Sequence, residues 1–593
     1  MPSHPEAAAA DSGPAVSPVS AWAPFRHRMF AAMWGAQFVS NIGSWMQTVA
    51  AQWLMLTLTG SAAYVALVQT AAGLPVVLFA IVAGTVGDLV DRRRFLLATQ
   101  TFMLAAAAAL GALALAGLVT PWVLLALVFA VGTGQALTSP TWQTLQPELV
   151  SPDERVQAIS LGSVNQNLAR AIGPAIGGVL LAATSSGTVF LVNAASFAAV
   201  LAVLMAWHST RIADALPREH VGEAIRAGGR YIAASPVLRV ILARAGLFIV
   251  FASAIWALLP LTAQSALHLG SGGYGLLLGS VGIGAVAGAA LLPRLRTRLS
   301  PDALLAGGSI GLAAVTLVLA YAHVTAVAAV VLVVGGACWV LALSILNSLY
   351  QLSLPGWIKA RGMSFYLMVF QGGGAVGSAI MGLIATRAGL SATLTIAAAG
   401  LALGPLAGLV WRFRSIPPET LLPAGDWPAP ELAPDQTPEG PVLVGIQYRA
   451  RPGLEDELMT ALQQTKNSRR RTGAISWRAW HDASDPGRVL EEFVVASWED
   501  HLRQHERVTK REQAHLERVR ELTDPDHPVT VTHWLAVSSR KPPGSPAKTL
   551  LRPLPLTSWS GRVYLAELAS TPCPKWNDCE FPWQYRVTDV IRA

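Results

Sequence analysis

Twelve long stretches of mainly apolar residues run through the first two thirds of the chain, and short polar segments separate them. A bilayer core about 30 Å thick is crossed by roughly 20 apolar residues in an α-helix, and all twelve stretches reach this length. They predict twelve membrane-spanning helices, at 29–58, 63–87, 95–117, 121–146, 158–183, 187–208, 240–266, 272–293, 302–321, 323–350, 362–386 and 389–411.

The basic residues between these stretches lie almost entirely on one side of the predicted bundle. Loops rich in Lys and Arg stay in the cytoplasm, so this side is predicted to be cytoplasmic, together with both termini. The basic connections carry Arg26, Arg28, Arg92 to Arg94, Arg155, the run from Arg211 to Arg244, Arg294, Arg296, Arg298, Lys359, Arg361, Arg412 and Arg414, whereas the opposite loops hold Arg387. Residues 1–21, rich in Ala, Ser and Pro, predict a disordered arm and not a signal peptide.

A repeat relates the first six stretches to the last six. The longest connection, 209–239, divides the membrane part into halves at 22–208 and 240–415. The segment that begins at Gly84 corresponds to the segment that begins at Gly288, 204 residues later, and a cluster of arginines follows each. Two similar halves that rock about a midplane site are the physical basis of alternating access. The alternative is chance similarity between helices rich in Gly and Ala.

The composition supports a membrane protein with a soluble appendage. Only 13% of the 593 residues are Asp, Glu, Lys or Arg, whereas soluble proteins carry about 25% charged residues. The formal net charge of +8 reflects basic loops that flank the membrane, so no nucleic-acid partner is expected. Three cysteines give no disulfide framework. The sequence has no phosphate-binding G-x-x-x-x-G-K-[ST] motif, which argues against ATP-driven transport by this chain.

Polar side chains recur at steps of three and four residues in several stretches, so they share helix faces. Because polar groups that face lipid are costly, these faces turn inward and either line a solute pathway or hydrogen-bond neighbouring helices. Arg170, a charge deep in a predicted span, either attracts an anionic solute or is a structural charge near the cytoplasmic end. The predicted substrate cavity comprises Gln37, Asn41, Ser44, Thr48, Gln135, Ser139, Gln143, Asn167, Arg170, Asn347 and Gln371. Its predicted aromatic wall includes Trp142, Trp256, Trp339 and Tyr366.

The segment after the second stretch resembles a signature of a known transporter family. Its motif is similar to the one between helices 2 and 3 of the major facilitator superfamily and is carried by Gly84, Asp88, Asp91, Arg92 and Arg93. The resemblance implies the twelve-helix fold of this superfamily and a gating role for these residues, as a latch between the halves in one state. The alternative is that the arginines only hold the loop on the cytoplasmic side.

A second motif, in the fifth stretch, resembles the Gly-Pro motif of antiporters in the same superfamily. Close helix approach and a bend are expected at its residues, which are Gly173, Pro174, Gly177 and Gly178. The segments at 40–47, 140–143 and 170–174 resemble the exporter branch often called transmembrane secretion effectors, which includes enterobactin-type siderophore exporters. This resemblance covers about 22–414 and implies export of a small metabolite.

The chain after the last stretch has the charge and pattern of a soluble domain. A Pro-rich linker at 416–439 precedes 440–540, where strands and helices are predicted in the order βαββαβ, the ferredoxin-like arrangement. This segment resembles the antibiotic-biosynthesis-monooxygenase-like domains, and the resemblance implies pairing as a homodimer. His501 and His505 lie one helical turn apart, but no further ligand motif accompanies them and no metal site is predicted. Residues 541–593 lose periodicity and predict an irregular tail.

The sequence thus predicts an all-α membrane protein of two six-helix halves with a cytoplasmic α+β domain. The expected function is secondary active export of a small, partly hydrophobic metabolite, siderophore-like or drug-like, across the inner membrane by alternating access. The expected partners are this solute, the lipid bilayer and a second copy of the chain, with no cofactor and no enzymatic activity. Two alternatives are compatible with the sequence: nutrient uptake by the same carrier, and a carrier fused to a cofactor-free oxygenase or ligand-sensing domain.

Overall fold

The computed structural model of the chain describes most of the membrane part and of the soluble domain. It covers 20–89, 91–207, 221–413, 416–424 and 440–536, and within these ranges the side chains other than those of 80–89, 144, 221–225, 360 and 418. Most of the predicted arm, most of the predicted linker and the whole predicted tail lie outside the described residues.

Six long helices form the first half of the membrane part. They are α1 (Arg28–Thr59), α2 (Ala62–Leu89), α3 (Arg92–Leu115), α4 (Pro121–Leu145), α5 (Arg155–Ala183) and α6 (Ser186–Ala206). Side-chain caps fix several of their first turns. The Thr120 hydroxyl accepts from the Val123 N–H (3.4 Å) ahead of α4, and the Asp91 carboxylate accepts from the Arg94 N–H (2.9 Å) ahead of α3.

A shorter helix, α7 (Val221–Ala233), precedes the second half and lies inside the connection predicted at 209–239. The helices that follow are α8 (Pro236–Leu261), α9 (Ser271–Arg296), α10 (Pro301–Tyr321), α11 (Thr325–Leu352), α12 (Lys359–Ala388), α13 (Leu390–Leu403) and the short α14 (Ala407–Val410). α8 starts earlier than predicted because Ser235-Pro236 is a favourable helix start.

The two halves pack their helices in the same pairwise arrangement. In the first half, α1 packs against α5 and α6, α2 against α4, and α3 against α6. The corresponding pairs in the second half are α8 with α12 and α13, α9 with α11, and α10 with α13. Between the halves, α2 packs against α12 and α5 against α9. The repeat in the sequence is therefore present in the packing, and the halves meet along two seams.

Most helices of the membrane part suit a bilayer. Ten of the described helices are long and apolar enough to cross a membrane by length and composition. α1, with 32 residues, and α5, with 29, have the length but carry more polar residues. The membrane part is a helical, multi-pass bundle, and crossing by all twelve predicted helices stays a prediction.

Residues 440–536 form a four-stranded antiparallel sheet covered by helices on one face. Its elements are β1 (Val442–Arg449), α15 (Glu455–Thr472), β2 (Ser476–His481), β3 (Arg488–Val495), α16 (Trp498–Glu506), α17 (Lys510–Leu522) and β4 (Thr530–Leu535). The strand order is β2-β3-β1-β4. Alternate strand residues such as Val444 and Phe493 pack with Leu458 and Leu462 in the core between sheet and helices.

The second helical segment of this domain differs from the prediction. The sequence pattern predicts one helix over 498–521, but the structure has α16 and α17 with a short connection between them. Thr509 and Glu512 form a capping box, in which the Thr509 N–H donates to the Glu512 carboxylate (3.3 Å). This reciprocal cap satisfies free N–H groups and begins a new helix. The break leaves Arg507 and Val508 in the connection.

Candidate functional site: polar and aromatic residues between the two membrane halves

Gln52 of α1 joins the two halves at one end of the bundle. Its amide nitrogen donates to the Trp256 carbonyl of α8 (3.1 Å), and its amide oxygen accepts from the Tyr274 hydroxyl of α9 (2.7 Å). Gln52 and Tyr274 are both buried. Because a buried amide or hydroxyl is costly without a partner, these bonds stabilise the joined arrangement. We refer to this end of the bundle as the closed end.

Small residues bring the halves close together along both seams. In the α5–α9 seam, a Cβ atom added to Gly178 would collide with the main chain of Gly275. In the α2–α12 seam, Gly382 has no room for a larger side chain, and the Thr70 hydroxyl donates to the Ala375 carbonyl (2.9 Å). Gly178, a predicted packing residue, therefore lies in a contact between the halves.

The other predicted packing residues of α5 lie inside the first half. A Cβ atom added to Gly173 would lie 2.7 Å from the Cβ of Trp45, and one added to Gly177 would lie 2.8 Å from the Cα of Met46. Pro174 is buried in the same helix. These small residues let α5 pack directly on α1, and the position of α1 on α5 matters because both helices carry predicted cavity residues.

The described gating residues contact their own half of the bundle. Asp91 caps α3, Arg92 forms an exposed ion pair with Glu148 (2.5 Å), and Arg93 donates to two carbonyls at the end of α6 (3.1 and 2.6 Å). In this conformation these contacts fix the first turn of α3 to the end of α6 and to the segment after α4. Two further predicted gating residues lie outside the side chains that the structure describes, Gly84 and Asp88. We refer to this end of the bundle, which holds the arginine-rich connections, as the basic end.

Hydrogen bonds bring the predicted polar residues of α1, α4 and α5 together. Gln37 donates to the Asn41 side chain (3.0 Å), and Asn41 donates to the buried Asn165 side chain of α5 (2.8 Å). Gln135 of α4 donates to the Ser44 hydroxyl of α1 (3.0 Å). Asn165 is not among the predicted site residues, although it lies four residues after Leu161 on the buried side of α5.

The remaining polar candidates bond within their own helices. Thr48 and Asn167 donate to carbonyls four residues earlier (3.0 and 2.9 Å), and Gln143 donates to the Ser139 hydroxyl (3.3 Å). In the second half, Asn347 accepts a hydrogen bond from the side chain of the residue four positions later (3.0 Å). Gln371 lies in the α2–α12 seam, where a Cβ atom added to Gly73 would lie 3.3 Å from its carbonyl oxygen.

Arg170 of α5 lies beside Trp45 and interacts electrostatically with Tyr366 of the opposite half. Its guanidinium carbon is 5.6 Å from the centre of the Trp45 ring, which is a cation–π contact. The Nε atom is buried and has no hydrogen-bond partner among the residues that the structure describes. Tyr366 of the second half lies close enough to interact electrostatically with the guanidinium. Arg170 thus has a donor that an incoming anion can use.

A continuous series of five aromatic rings lines the second half, and we refer to it as the aromatic ladder. Successive ring centres are 5.2, 6.3, 6.2 and 5.3 Å apart along Trp256, Trp339, Phe370, Tyr366 and Tyr350. Within the described residues, the Trp339 indole N–H and the Tyr350 hydroxyl are buried without a hydrogen-bond partner. The ladder offers flat apolar surface with two free polar atoms.

Trp142, which the sequence assigns to this aromatic wall, belongs elsewhere. It is buried in a separate apolar cluster of the first half with Met33, Leu96 and Leu145. The sequence does not distinguish Trp142 from the tryptophans of the wall, because all of them have apolar neighbours along the chain. Conversely, Phe370 and Tyr350 join the ladder without having been predicted.

A second buried arginine, Arg244 of α8, was also missed. Arg244 is predicted as one of the basic loop residues, but its side chain is only 3% exposed. It forms an ion pair with Asp302, donates to the Trp411 carbonyl (3.2 Å) and lies 3.8 Å from the centre of the Phe413 ring. The Phe413 N–H in turn donates to Asp302 (3.1 Å). These contacts make Arg244 an anchor between α8, α10 and the end of the last membrane helix.

The soluble domain has its own buried charge, Glu491 of β3. Its carboxylate accepts hydrogen bonds from Tyr448 (2.8 Å), Trp477 (2.8 Å) and Arg469 (3.0 Å). Burial raises the pKa of Glu491, but the adjacent Arg469 guanidinium outweighs burial and holds the pKa of the carboxyl below its ordinary value. The Glu491 carboxylate is therefore an ionised group with a structural role between the sheet and the helices.

Three imidazoles cluster beside this centre. The Nε2 atoms of His501 and His505 are 3.4 Å apart, and the His533 ring centre is 4.9 Å from that of His501. Burial lowers the pKa of both His501 and His505 to about 4, and the neighbouring imidazoles contribute to the same direction. In the described part of the chain, no group of three or more His, Cys, Asp and Glu side chains is arranged to hold a metal ion.

Sequence comparisons place the chain among transporters. The model of the transmembrane secretion effector family matches residues 19–541. The enterobactin exporter EntS of Citrobacter koseri is 25% identical over 410 residues, which cover 66% of this chain and 95% of that protein. The staphyloferrin A transporter of Staphylococcus aureus is 30% identical over 172 residues, and the match spans 29% of this chain and only 43% of that protein.

The fold has solved counterparts. A point mutant of the nucleoside transporter NupG aligns with a TM-score of 0.55 at 12% identity, over 65% of this chain and all of that structure. At this level of identity the likeness concerns the fold alone. It places the helical bundle among known transporter architectures.

Proposed function

The chain belongs to the transmembrane secretion effector family of the major facilitator superfamily, and from this premise we propose that it exports a small, partly hydrophobic anion by alternating access. It is a multi-pass membrane transporter and not an enzyme. The direction of transport and the solute are the proposed parts. Siderophore-like and drug-like metabolites have the required size and polarity, and the similarity to EntS favours export.

The observation that carries the proposal is the position of Arg170 opposite the aromatic ladder. Arg170 offers a buried donor without a partner in the described residues, and Tyr366 of the ladder, in the opposite half, interacts with it electrostatically. A charged donor in a low-dielectric site attracts an anionic group strongly. The ladder then supplies flat surface for the apolar part of the same solute. A solute bound in this way contacts both halves, as alternating access requires.

The contacts at the closed end support an arrangement that opens toward the basic end. Gln52 and the two seams hold the halves together away from the arginine-rich connections. The side chains of Gln135, Gln143 and Asn167 are exposed farther toward the basic end. We place the basic end and both termini in the cytoplasm, because arginine-rich loops stay there. The proposed topology has twelve spans in the inner membrane.

We also propose that the soluble domain is ferredoxin-like and pairs with a second copy of the chain. The strand order β2-β3-β1-β4 supports this fold, and among residues 440–536 the helices cover only one face of the sheet. That face presents Trp480 and Trp534, which are 47% and 50% exposed. Arg478 lies opposite Glu492 on it, so the face carries both charges and is complementary to a copy of itself.

Metabolite profiling of cells that lack or overproduce the chain tests the proposed direction. Cells are grown under iron-poor and iron-rich conditions, and compounds are measured inside and outside. We expect one anionic, partly aromatic compound to accumulate inside the deletion strain and outside the overproducer. The reverse distribution would establish uptake, and equal distributions in both strains would remove the support for a siderophore-like solute.

Arg170→Ala tests the proposed site. The variant loses the charged donor that faces the ladder, so we expect transport of the compound identified by profiling to fall at least tenfold at unchanged abundance in the membrane. Arg387→Ala is the matched control, because Arg387 is exposed at the end of α12 and is expected to leave transport unchanged. Wild-type transport by Arg170→Ala would contradict the assigned site.

A further inference from the structure

The soluble domain contacts the membrane part through a stack of three side chains, of which two are buried and the middle one is half-buried. Trp357 lies in the turn between α11 and α12, and its ring contacts both Tyr231 of α7 and Arg507 of the α16–α17 connection. The Tyr231 and Trp357 ring centres are 5.6 Å apart in an edge-to-face contact, and the Arg507 guanidinium carbon is 4.8 Å from the Trp357 ring centre. Tyr231 and Arg507 are each only 5% exposed. We refer to this stack as the Trp357 joint.

Arg507 is held rigidly on the side of the soluble domain. It donates to the Thr472 carbonyl at the end of α15 (3.3 Å), and the Thr472 hydroxyl accepts from Gln504 of α16 (3.1 Å). The guanidinium is thus fixed relative to two helices of its own domain. Because Arg507 is buried, the cation–π contact is stronger than one at an exposed site. A shift of Trp357 is therefore resisted by the soluble domain as a whole.

Two further contacts attach the domain at the same place. The segment after the last membrane helix pairs with the α16–α17 connection: the Ala424 N–H donates to the Val508 carbonyl and the Lys510 N–H to the Leu422 carbonyl, both at 3.0 Å. In addition, α7 packs against α15. Tyr231 of α7 also lies in the electrostatic field of Glu512.

The joint lies on parts of the second half that must move in alternating access. Trp357 connects α11 to α12, and α12 forms the α2–α12 seam with the first half. Tyr231 belongs to α7, the described helix next to the connection between the halves. When the two halves rock, both the seam and this connection change shape. A domain that fixes α7 against the α11–α12 turn therefore acts on the moving parts of the carrier.

We propose that the soluble domain regulates transport through the Trp357 joint, which stabilises the conformation joined at the closed end. This inference rests on the proposed function as an alternating-access carrier and concerns its regulation. The domain restrains the carrier in the conformation open toward the basic end, and release of the joint permits conversion to the opposite conformation. The domain is thus a built-in restraint on the rate of exchange between the two states.

The experiment measures the conformational populations without any solute. Spin labels are placed on the full chain at Val156 of α5 and Leu299 after α9, one in each half near the basic end, after replacement of the native cysteines by Ser. Electron–electron double resonance then gives the ratio of long to short distances. We expect Trp357→Leu and Arg507→Gln each to lower the ratio of open to closed basic ends by about tenfold, as expected for the loss of a desolvated cation–π contact.

Two controls make the result specific to the joint. Arg518→Gln changes an exposed arginine of α17, 57% exposed, and is expected to leave the ratio unchanged. The double variant Trp357→Leu/Arg507→Gln is expected to match the single variants, because both remove one shared contact. Trp357 lies in the membrane part, so its variant tests the joint even if Arg507→Gln unfolds the soluble domain.

Unchanged populations in Trp357→Leu would overturn the proposal, as would a shift in Arg518→Gln equal to the one in Arg507→Gln. The distance measurement also distinguishes a failure of this proposal from a failure of the proposed export function. If metabolite profiling finds no export but the population shift occurs, the export assignment fails and the regulation stands. If export occurs with unchanged populations, the soluble domain has no such role.

Discussion

Two arginines of the membrane part differ in the partners that their surroundings provide. Arg244 has an ion pair, a carbonyl and an aromatic face, whereas Arg170 has an aromatic face and a buried Nε without a partner in the described structure. A buried donor without a partner costs about 1–3 kcal/mol. The sequence predicts Arg170 as a candidate from its depth in an apolar stretch. It could not identify Arg244, because Asp302 lies 58 residues away and the pair forms only in the packed bundle.

Arg244→Ala is expected to destabilise the membrane part. The change leaves Asp302 without its buried partner and removes the contact with the Phe413 ring, and we expect a loss of at least about 2 kcal/mol. Thermal unfolding in detergent, followed by loss of monodisperse protein, measures the effect. Leu247→Ala one turn later on α8 removes apolar contacts but no charge, and its Leu side chain is 37% exposed, so a smaller loss is expected. Equal losses in the two variants would remove the special role of the ion pair.

The histidine cluster gives the soluble domain a defined pH dependence. Burial lowers the folded-state pKa of His501 to about 4 from an unfolded value near 6.5. Between these values the unfolded chain binds a proton that the folded domain does not, so stability is lost as the pH falls from about 6.5 to 4. His501 alone accounts for roughly 3 kcal/mol. Hydrogen exchange of the β1 and β3 amides in the full chain, measured across this range, gives the slope.

The matched variants are His501→Gln and His527→Gln. His501→Gln removes the buried titrating group, so we expect the pH slope of the exchange to flatten. His527 is exposed at 55% and its replacement is expected to leave the slope unchanged. A slope that persists in His501→Gln would assign the pH dependence to other groups.

At the scale of elements, the hydrophobic pattern of the sequence predicts where the long helices lie but not which helices contact one another. Each of the twelve predicted stretches overlaps a long helix, because the length and apolar content of a span are local properties. α7 is missed because it is short and mixed in polarity, and the break at Thr509 is missed because a capping box inside a charged segment resembles ordinary helix surface. The seams depend on which glycines face the other half, which the local sequence does not specify.

Gly178→Leu is expected to separate the halves at the closed end. Its side chain cannot fit against Gly275 in the α5–α9 seam, so the arrangement joined at Gln52 becomes strained. With spin labels at Val156 and Leu299, we expect the basic end to shift from open toward closed. Gly307→Leu on α10 is the matched control, because nothing lies within 4 Å of a Cβ atom there. An unchanged distribution in Gly178→Leu would show that the seam does not hold this state.

At the scale of the whole molecule, the repeated pairing of helices was predictable in outline. The 204-residue offset in the sequence indicates two halves, and the structure packs corresponding helices in corresponding pairs. The candidate site was predictable in part: the polar residues of α1, α4 and α5 come together, whereas the aromatic ladder needed the relative positions of α8, α11 and α12. The contact of the soluble domain with Trp357 could not be predicted, because a linker leaves the orientation of the next domain open.

Trp534→Glu tests pairing through the soluble domain. A charge on this face, at the edge strand β4, would be buried in the proposed homodimer, so we expect the variant to be monomeric where the wild type is dimeric. Multi-angle light scattering of the full chain in detergent measures the mass of the protein component. Gln463→Glu adds the same charge on the exposed side of α15 and is expected to stay dimeric. A monomeric wild type would contradict the proposal.

The contacts of the Arg244 anchor can form only in a fixed order while the protein is synthesised. Arg244 of α8 is synthesised 58 residues before Asp302 and 167 residues before Trp411, the residue whose carbonyl it contacts. At about 5–20 residues per second, the arginine waits roughly 3 to 12 s for its first partner. A nascent chain that stops ahead of Trp411 has the ion pair of Arg244 with Asp302 but lacks the Trp411 carbonyl and the Phe413 ring. The anchor is therefore complete only after the segment that follows the last membrane helix has been translated.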